Sequence, residues 1–408
     1  RSKFVRKANK RIMFKFFTYW EMIKQENKED CCGCTACASV CSHSAISMQP
    51  DCLGFLYPVV NEENCVQCGL CEKICAFNKD YSKGLNLQKP DVYAVRHKEM
   101  KEIEGSRSGA MFVAISDSVL DKGGVVYGVG YTGHFRVSHK RASTRKERDE
   151  FRGSKYVQSD LNGIFVQVKD DLKQGLHVLF SGTPCQTSGL YSYLSLFRIS
   201  MDKLCIVDII CHGVPAPNIW RDYLAYIEQK QKMEAVAVNF RDKSTSGWAS
   251  HQETFIFKEG VVSTGTYARI FCQSIMFRHS CGICHFANLQ RPSDITIGDF
   301  WGWERVDPHF NADNKGVSLV LVNTRKGRLF FDETKTWIDY IETDTQHCMQ
   351  LNLQSPTTIH PQRDAFERDY ANHGFVYIGR KYGDMGWKYK ANLYLLAFRK
   401  WTKSMIDK

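Results

Sequence analysis

From 91 to 233 the chain alternates between two hydrophobic rhythms. Short apolar runs rich in Val, Ile, Tyr and Phe read as strands, at 91–96, 124–131, 135–141, 177–180 and 204–210. Between them, apolar residues recurring every three or four positions read as helices at 109–120, at 162–174, after Gln186 and at 217–231, and a charged helix is read near 144–150. Such alternation predicts an α/β body, a buried, largely parallel or mixed sheet covered by helices. From 234 strands dominate, with runs at 235–240, 253–257, 294–298 and 317–323. Residues 79–90 read as a polar linker. Both ends are basic: 1–30 sets Arg1, Lys3, Arg6, Lys7, Lys10, Arg11 and Lys15 around Phe14, Phe16, Phe17, Tyr19 and Trp20, and 390–406 reads as an amphipathic basic helix. For both, a helix packing its apolar side on the body leads over one that docks a partner or a membrane surface.

Between the basic lead and the linker, cysteines replace hydrophobic rhythm. Cys31, Cys34, Cys37 and Cys41, then Cys65, Cys68, Cys71 and Cys75, each read C-x2-C-x2-C-x3-C, the second set repeating the first 34 residues on. Three thiolates at x2 spacing grip one 4Fe-4S cubane from a single loop, and the fourth reaches across to the other cluster in two-cluster ferredoxins. This assigns one cluster to Cys31, Cys34, Cys37 and Cys75 and the other to Cys65, Cys68, Cys71 and Cys41, ahead of disulfides or zinc. Ser42 and Ala76 stand where such runs usually carry proline, which loosens the turn without removing a sulfur. Cys32 and Cys52 fall outside the spacing and read as spectators.

At 408 residues, with 43% hydrophobic and 12% aromatic content, the chain is expected to fold as several globular parts. These are a lead (1–30), a bacterial-type ferredoxin-like domain with two 4Fe-4S clusters (31–78), a body (91–345, divided at 233/234) and a C-terminal extension (346–408). No apolar run approaches the roughly 18 residues of a membrane span. Seventeen cysteines without a signal peptide argue for a reducing, cytoplasmic setting. The sequence opens at Arg1, so the native N-terminus is expected upstream. The formal charge of +11 would fall to roughly +5 with three clusters bound, which suits an acidic protein donor or a polyanionic coenzyme and gives little support to nucleic acid.

In the body, Gly128, Gly130 and Gly133 fit G-x-G-x-x-G, but a strand follows them instead of a helix, so a glycine-rich turn is expected over a dinucleotide site. A second set of cysteines carries more. Cys185 sits at a strand-to-helix turn, Cys211 ends a strand, and Cys281 and Cys284 form C-x2-C. Strand-end loops converge in α/β folds, so these four are candidates for a third cluster. Zinc stays open just behind it, as do Cys185 as a nucleophile at a helix N-terminus and haem attachment at Cys281-Gly-Ile-Cys284-His285.

Six blocks then carry a resemblance: Ser108-Gly109-Ala110, Gly153-Ser154-Lys155-Tyr156, Gly182-Thr183-Pro184-Cys185-Gln186, Cys211-His212-Gly213, Cys281-Gly-Ile-Cys284 and Asp294-Ile-Thr-Ile-Gly298-Asp299. From about Val92 to Gly302 the body resembles the beta subunit of coenzyme F-420-reducing hydrogenases and dehydrogenases, a family that includes 7-hydroxymethyl chlorophyll a reductase. That family usually has Ser-Gly-Gly where Ala110 stands. The resemblance implies a flavin-binding body holding FAD and a 4Fe-4S cluster. It makes Cys185, Cys211, Cys281 and Cys284 the ligands, and Ser108, Gly109, Ser154, Lys155, Tyr156, Thr183 and Gln186 the flavin positions. Lys155 would stabilise a reduced anionic flavin and His212 is a candidate proton donor, each set against an ordinary structural role.

The expected activity is that of an iron–sulfur flavoprotein oxidoreductase. It would couple ferredoxin or another one-electron redox protein to a small-molecule two-electron partner, F-420 or an organic substrate. The alternative is a non-catalytic electron-relay subunit whose body docks it to a larger redox complex. Neither the direction of electron flow nor the oligomeric state is readable.

Overall fold

In the computed structural model, residues 23, 27–77, 86–161, 163–244, 247–387, 389, 391 and 402 are described. The expected helices at the two basic ends lie almost wholly outside them.

The cysteine repeat is also a repeat of backbone. Each loop enters a short helix, Ala36–Val40 or Leu70–Ile74, through a residue in the left-handed region, Thr35 (φ 64°) or Gly69 (φ 68°). Two residues earlier, Gly33 (φ 72°) and Gln67 (φ 53°) repeat the same turn. Between the helices, β1 (Ile46–Pro50) and β2 (Leu56–Val60) pair antiparallel, Ile46 opposite Val60.

The body is α/β. Its strands run β3 (Asn86–His97), β4 (Val125–Thr132), β5 (Arg136–Ala142), β6 (Val178–Gly182), β7 (Leu204–Ile209), β8 (Ala237–Asn239), β9 (Glu253–Phe257), β10 (Gly260–Thr264), β11 (Ile295–Asp299), β12 (Ser318–Thr324) and β13 (Ile338–Thr343). Eight form one mixed sheet in the order β13-β3-β12-β11-β7-β6-β4-β5, and β10-β9-β8 form a small separate one. Pairing is parallel from β4 through β6 and β7 to β11, and antiparallel elsewhere. The central strands are buried on both faces, as their unbroken apolar runs (Val178–Phe180, Leu204–Val207) require.

Three details differ from the sequence reading. β3 begins at Asn86, inside the stretch read as linker, because Asn86 pairs with Thr324 of β12 and its side-chain amide donates to the Arg291 carbonyl. Beyond 234 helices interleave with the strands (Thr266–Cys272, Arg325–Thr334, Arg363–Lys381). And β11, β12 and β13 close the same sheet that β3–β7 begin, so both halves of the body share one core. The G-x-G-x-x-G glycines lie in β4 and in the turn to β5, a hairpin with no helix after it. The turn reading holds there.

Ser108-Gly109-Ala110 fastens the helix Met111–Asp121 to the sheet. The Ser108 hydroxyl donates to the Val317 carbonyl, and a Cβ at Gly109 would lie 2.1 Å from the Val95 carbonyl oxygen. Ala110 caps the helix at φ 66°, ψ 26°, a left-handed conformation that disfavours any Cβ. Ala110→Gly should therefore stabilise the fold by about 1 kcal/mol. A thermal midpoint equal to or below wild type would contradict this.

Candidate functional site

Twelve of the seventeen cysteines gather into three sets. Cys41, Cys65, Cys68 and Cys71 line one small cavity of about 30 Å3. Cys31, Cys34 and Cys75 surround Cys37, whose thiol is pushed well above its ordinary pKa first by burial and then by the charge of those three neighbours. Cys41 thus lies with the cysteines of the second loop, and Cys75 with those of the first. Backbone amides point at sulfur: Gly33 N–H donates to Cys31 Sγ at 3.3 Å and Ala45 N–H to Cys41 Sγ at 3.3 Å.

The third set is assembled by the sheet. Cys185 lies in the first turn of the helix Pro184–Leu196, which leaves β6 through a capping box between Thr183 and Gln186. Cys211 follows β7, and Cys281 and Cys284 sit on the 3-10 turn His279–Ile283 and just after it. All four line a second cavity of about 30 Å3, together with Cys32 and Arg278. Burial raises the Cys211 thiol, and the charges of Cys281, Cys185 and Cys284 raise it further. Arg291 holds the C-x2-C loop against the end of β7. Its Nη1 donates to the Phe286 carbonyl (2.6 Å), and its Nη2 to the Ile209 carbonyl (2.8 Å), 3.0 Å from Asp208 Oδ2.

Among the described residues, no three His, Cys, Asp or Glu side chains converge as one metal ion requires. A cubane makes a different demand, since its four thiolates each meet a separate iron around a larger body. His285, the haem-motif histidine, stacks on Phe77 of the N-terminal module at 4.5 Å. Cys32, read as a spectator, hydrogen-bonds both Cys34 and Cys185, and lowers the Cys185 thiol to about 7. No spacing rule signalled it, because it fills a variable position.

A far larger cavity, about 900 Å3, opens beside the third set. Ser108, Ser154, Lys155, Tyr156, Thr183, Gln186 and His212 all line it; Gly109 lies behind its wall. Cys211, Gly213 and Val214 line both this cavity and that of the third cysteine set, so the two share a wall. Several polar groups here are already committed. The Lys155 ammonium donates to the Glu150 and Arg152 carbonyls, and burial lowers it to about 7. Gln186 accepts from Thr183 N–H at 3.0 Å and donates to Ser159 Oγ at 3.0 Å. Thr183 Oγ1 lies 3.2 Å from Cys185 Sγ, and burial lowers the His212 pKa. Sequence reasoning missed Arg107 and Arg241, which flank Asp299 on the same wall (3.5 and 3.0 Å). Arg241 Nη1 also donates to the Tyr156 hydroxyl at 3.2 Å.

Residues 176–346 match the profile of the family described as the C-terminus of the beta subunit of coenzyme F-420 hydrogenase/dehydrogenase. This stretch of the chain is similar to that family. That family is one of oxidoreductases, and the likeness points to redox electron transfer as the coarse class of chemistry. Its segment contains Thr183, Cys185, Gln186, Cys211, His212, Cys281 and Cys284; the eight N-terminal cysteines and 108–156 precede it. Among solved structures, a chain of the xenon-derivatised F-420-reducing nickel–iron hydrogenase complex from Methanosarcina barkeri is similar at 15% identity. The similarity covers 72% of this chain and 91% of that one, with a TM-score of 0.44. No curated protein matches. Among the described residues no helix is long and apolar enough to cross a membrane.

Within the family segment, Glu253 lies on the floor of the large cavity. It accepts from Ala268 N–H, with the Tyr223 hydroxyl 3.5 Å away, and burial pushes its carboxyl up to about 8. The folded chain then binds this proton more tightly than the unfolded one. That contribution is complete below about 4.5 and is lost as pH rises through about 8. Between pH 5 and 8 the wild type should lose about 2–4 kcal/mol more stability than Glu253→Gln. Parallel stability–pH curves for the two proteins would contradict it.

Proposed function

We propose that the chain is an iron–sulfur flavoprotein oxidoreductase that passes electrons between a ferredoxin-like one-electron carrier and a two-electron partner, either coenzyme F-420 or an organic substrate. In this reading the N-terminal module is a two-cluster ferredoxin-like domain. Cys31, Cys34, Cys37 and Cys75 hold one 4Fe-4S cluster, Cys41, Cys65, Cys68 and Cys71 a second, and Cys185, Cys211, Cys281 and Cys284 a third. The observation that carries the reading is the wall of Cys211, Gly213 and Val214 between the third four-cysteine cavity and the 900 Å3 cavity.

The donor sets fit the groups. Four thiols surround each cluster position, with backbone amides directed at sulfur, an arrangement that lowers the charge cost of holding a cluster. The large cavity lies within the range of cofactor sites and has the expected mixture of apolar lining and few convergent polar groups. When bound, clusters supply one-electron transfer and FAD the exchange between one- and two-electron chemistry. Ser108, Ser154, Tyr156 and Thr183 would hold the flavin. Lys155, tied to its own loop, shapes the 150–156 segment around it. His212, on the wall of the large cavity and with its pKa lowered by burial, would be the proton donor. Cys68 is exposed, which makes the outer cysteine set the side open to a protein donor.

Anaerobic purification with iron, sulfide and flavin measured against protein tests the reading. About twelve irons and one FAD per chain are expected, with Cys281→Ala retaining about eight. About eight irons and no flavin in the wild type, even after reconstitution with FAD, would leave an electron-relay subunit and overturn the flavoenzyme.

A further inference from the structure

Arg278 is fully buried, with 0% exposure. It belongs to the body, three residues before Cys281, yet two of its hydrogen bonds go to the N-terminal module. Nε donates to the Cys31 carbonyl at 2.7 Å and Nη2 to the Leu56 carbonyl at 2.9 Å. Nη1 donates to Gln158 Oε1 at 3.0 Å, and Gln158 Nε2 donates in turn to the Cys32 carbonyl at 2.9 Å. The guanidinium lies 4.1 Å from the centre of the Tyr57 ring. Its acceptors are all neutral. No carboxylate is among the titratable groups that most affect it: these are the sulfurs of Cys31 and Cys32 and the Tyr57 hydroxyl on the module, and the sulfur of Cys281 on the body.

A buried cation without a counter-charge costs several kcal/mol. The other most deeply buried arginines among the described residues have an acid beside them: Arg148 meets Asp117, and Arg291 meets Asp208. Arg278 has thiols where they have carboxylates. Four thiolates around a 4Fe-4S core carry a net negative charge, which grows by one on reduction. Arg278 stands between two of the four-cysteine sets, with Cys31 on one side and Cys281 on the other.

We propose that Arg278 is a positioning residue for electron transfer, supplying the buried positive charge that sets the reduction potentials of the two clusters on either side of the junction. One lies in the set of Cys31, Cys34, Cys37 and Cys75 and the other in the set of Cys185, Cys211, Cys281 and Cys284. The inference rests on the three-cluster reading. A fixed cation favours the more negative, reduced form, so it holds both potentials up. The outer set of Cys41, Cys65, Cys68 and Cys71 shares no lining residue with this junction and serves as an internal reference.

The test is a potentiometric titration of the full-length holoprotein followed by electron paramagnetic resonance, on wild type, Arg278→Met, Arg278→Lys and Gln158→Leu. Arg278→Met should move two cluster potentials negative and leave the third in place. Arg278→Lys keeps the charge without the fork, and Gln158→Leu loosens the clasp without removing charge; both should stay near wild type. Unmoved potentials in Arg278→Met at full iron content would overturn the role, as would an equal shift in Gln158→Leu. Should Arg278→Met hold no iron, Arg278→Lys decides: potentials near wild type support the proposal, and a negative shift overturns it. A wild type with about eight irons fails differently, removing the third cluster and leaving nothing on the body side for Arg278 to tune.

Discussion

Two glycines let the N-terminal module touch the body closely enough for sulfur to approach sulfur. A Cβ on Gly33 would lie 2.8 Å from Arg278 Nη1 and 2.9 Å from Gln158 Nε2, and Gly33 already adopts φ 72°. A Cβ on Gly189, one turn into the helix after β6, would lie 2.9 Å from the Cβ and Sγ of Cys34. Both contacts occur where a ligand loop of the module meets the helix or loop carrying body cysteines. Cys32 lies at the same junction, hydrogen-bonded to both Cys34 and Cys185. An added methyl at either glycine would force these neighbours to shift.

The sheet then explains why residues 185, 211 and 281 meet. β6 and β7 are parallel neighbours, so their carboxyl ends lie side by side, and Cys185 and Cys211 emerge there, where α/β sheets commonly build their sites. β11 joins β7 in parallel, and the segment leading into it carries Cys281 and Cys284 back to the same edge. Arg291 is the fastening, since it bonds the Phe286 and Ile209 carbonyls together and meets Asp208 in the interior. The antiparallel strands β12 and β3 complete the large cavity from the other side, presenting Ser318 and, through Ser108, the start of the next helix.

Much of this was legible from local pattern. The doubled cysteine run announced a repeated turn, and the backbone repeats it down to the left-handed residues at 33/67 and 35/69. The strand after Gly133 excluded a dinucleotide helix, correctly. The helix at Pro217–Gln231 was readable to the residue because proline opens it and its apolar positions keep helical spacing. What escaped the sequence depends on partners far away in the chain. Asn86 becomes strand through Thr324, Arg278 finds Cys31 across 247 positions, and Arg107, in the loop before the helix Met111–Asp121, meets Asp299 at the end of β11. Lys155 shows the converse limit. Its place at the cavity follows the family block, but its ammonium serves two carbonyls of its own loop, and no motif encodes where a flexible side chain puts its charge.

Buried positive charge is concentrated at two places. At the junction Arg278 is positive with sulfur on either side. On the wall of the large cavity Arg107 and Arg241 share the single carboxylate of Asp299, which leaves that wall one positive charge in excess. Burial there is deep enough to lower the Arg107 pKa, so the excess is held at a cost that an anionic occupant would offset. Protonated Glu253 adds no opposing charge below about pH 8. The interior therefore holds buried positive charge at two places, the cysteine junction and the wall of the large cavity beyond Cys211. Hydrophobic burial alone would have left both neutral, and folding would have been easier for it.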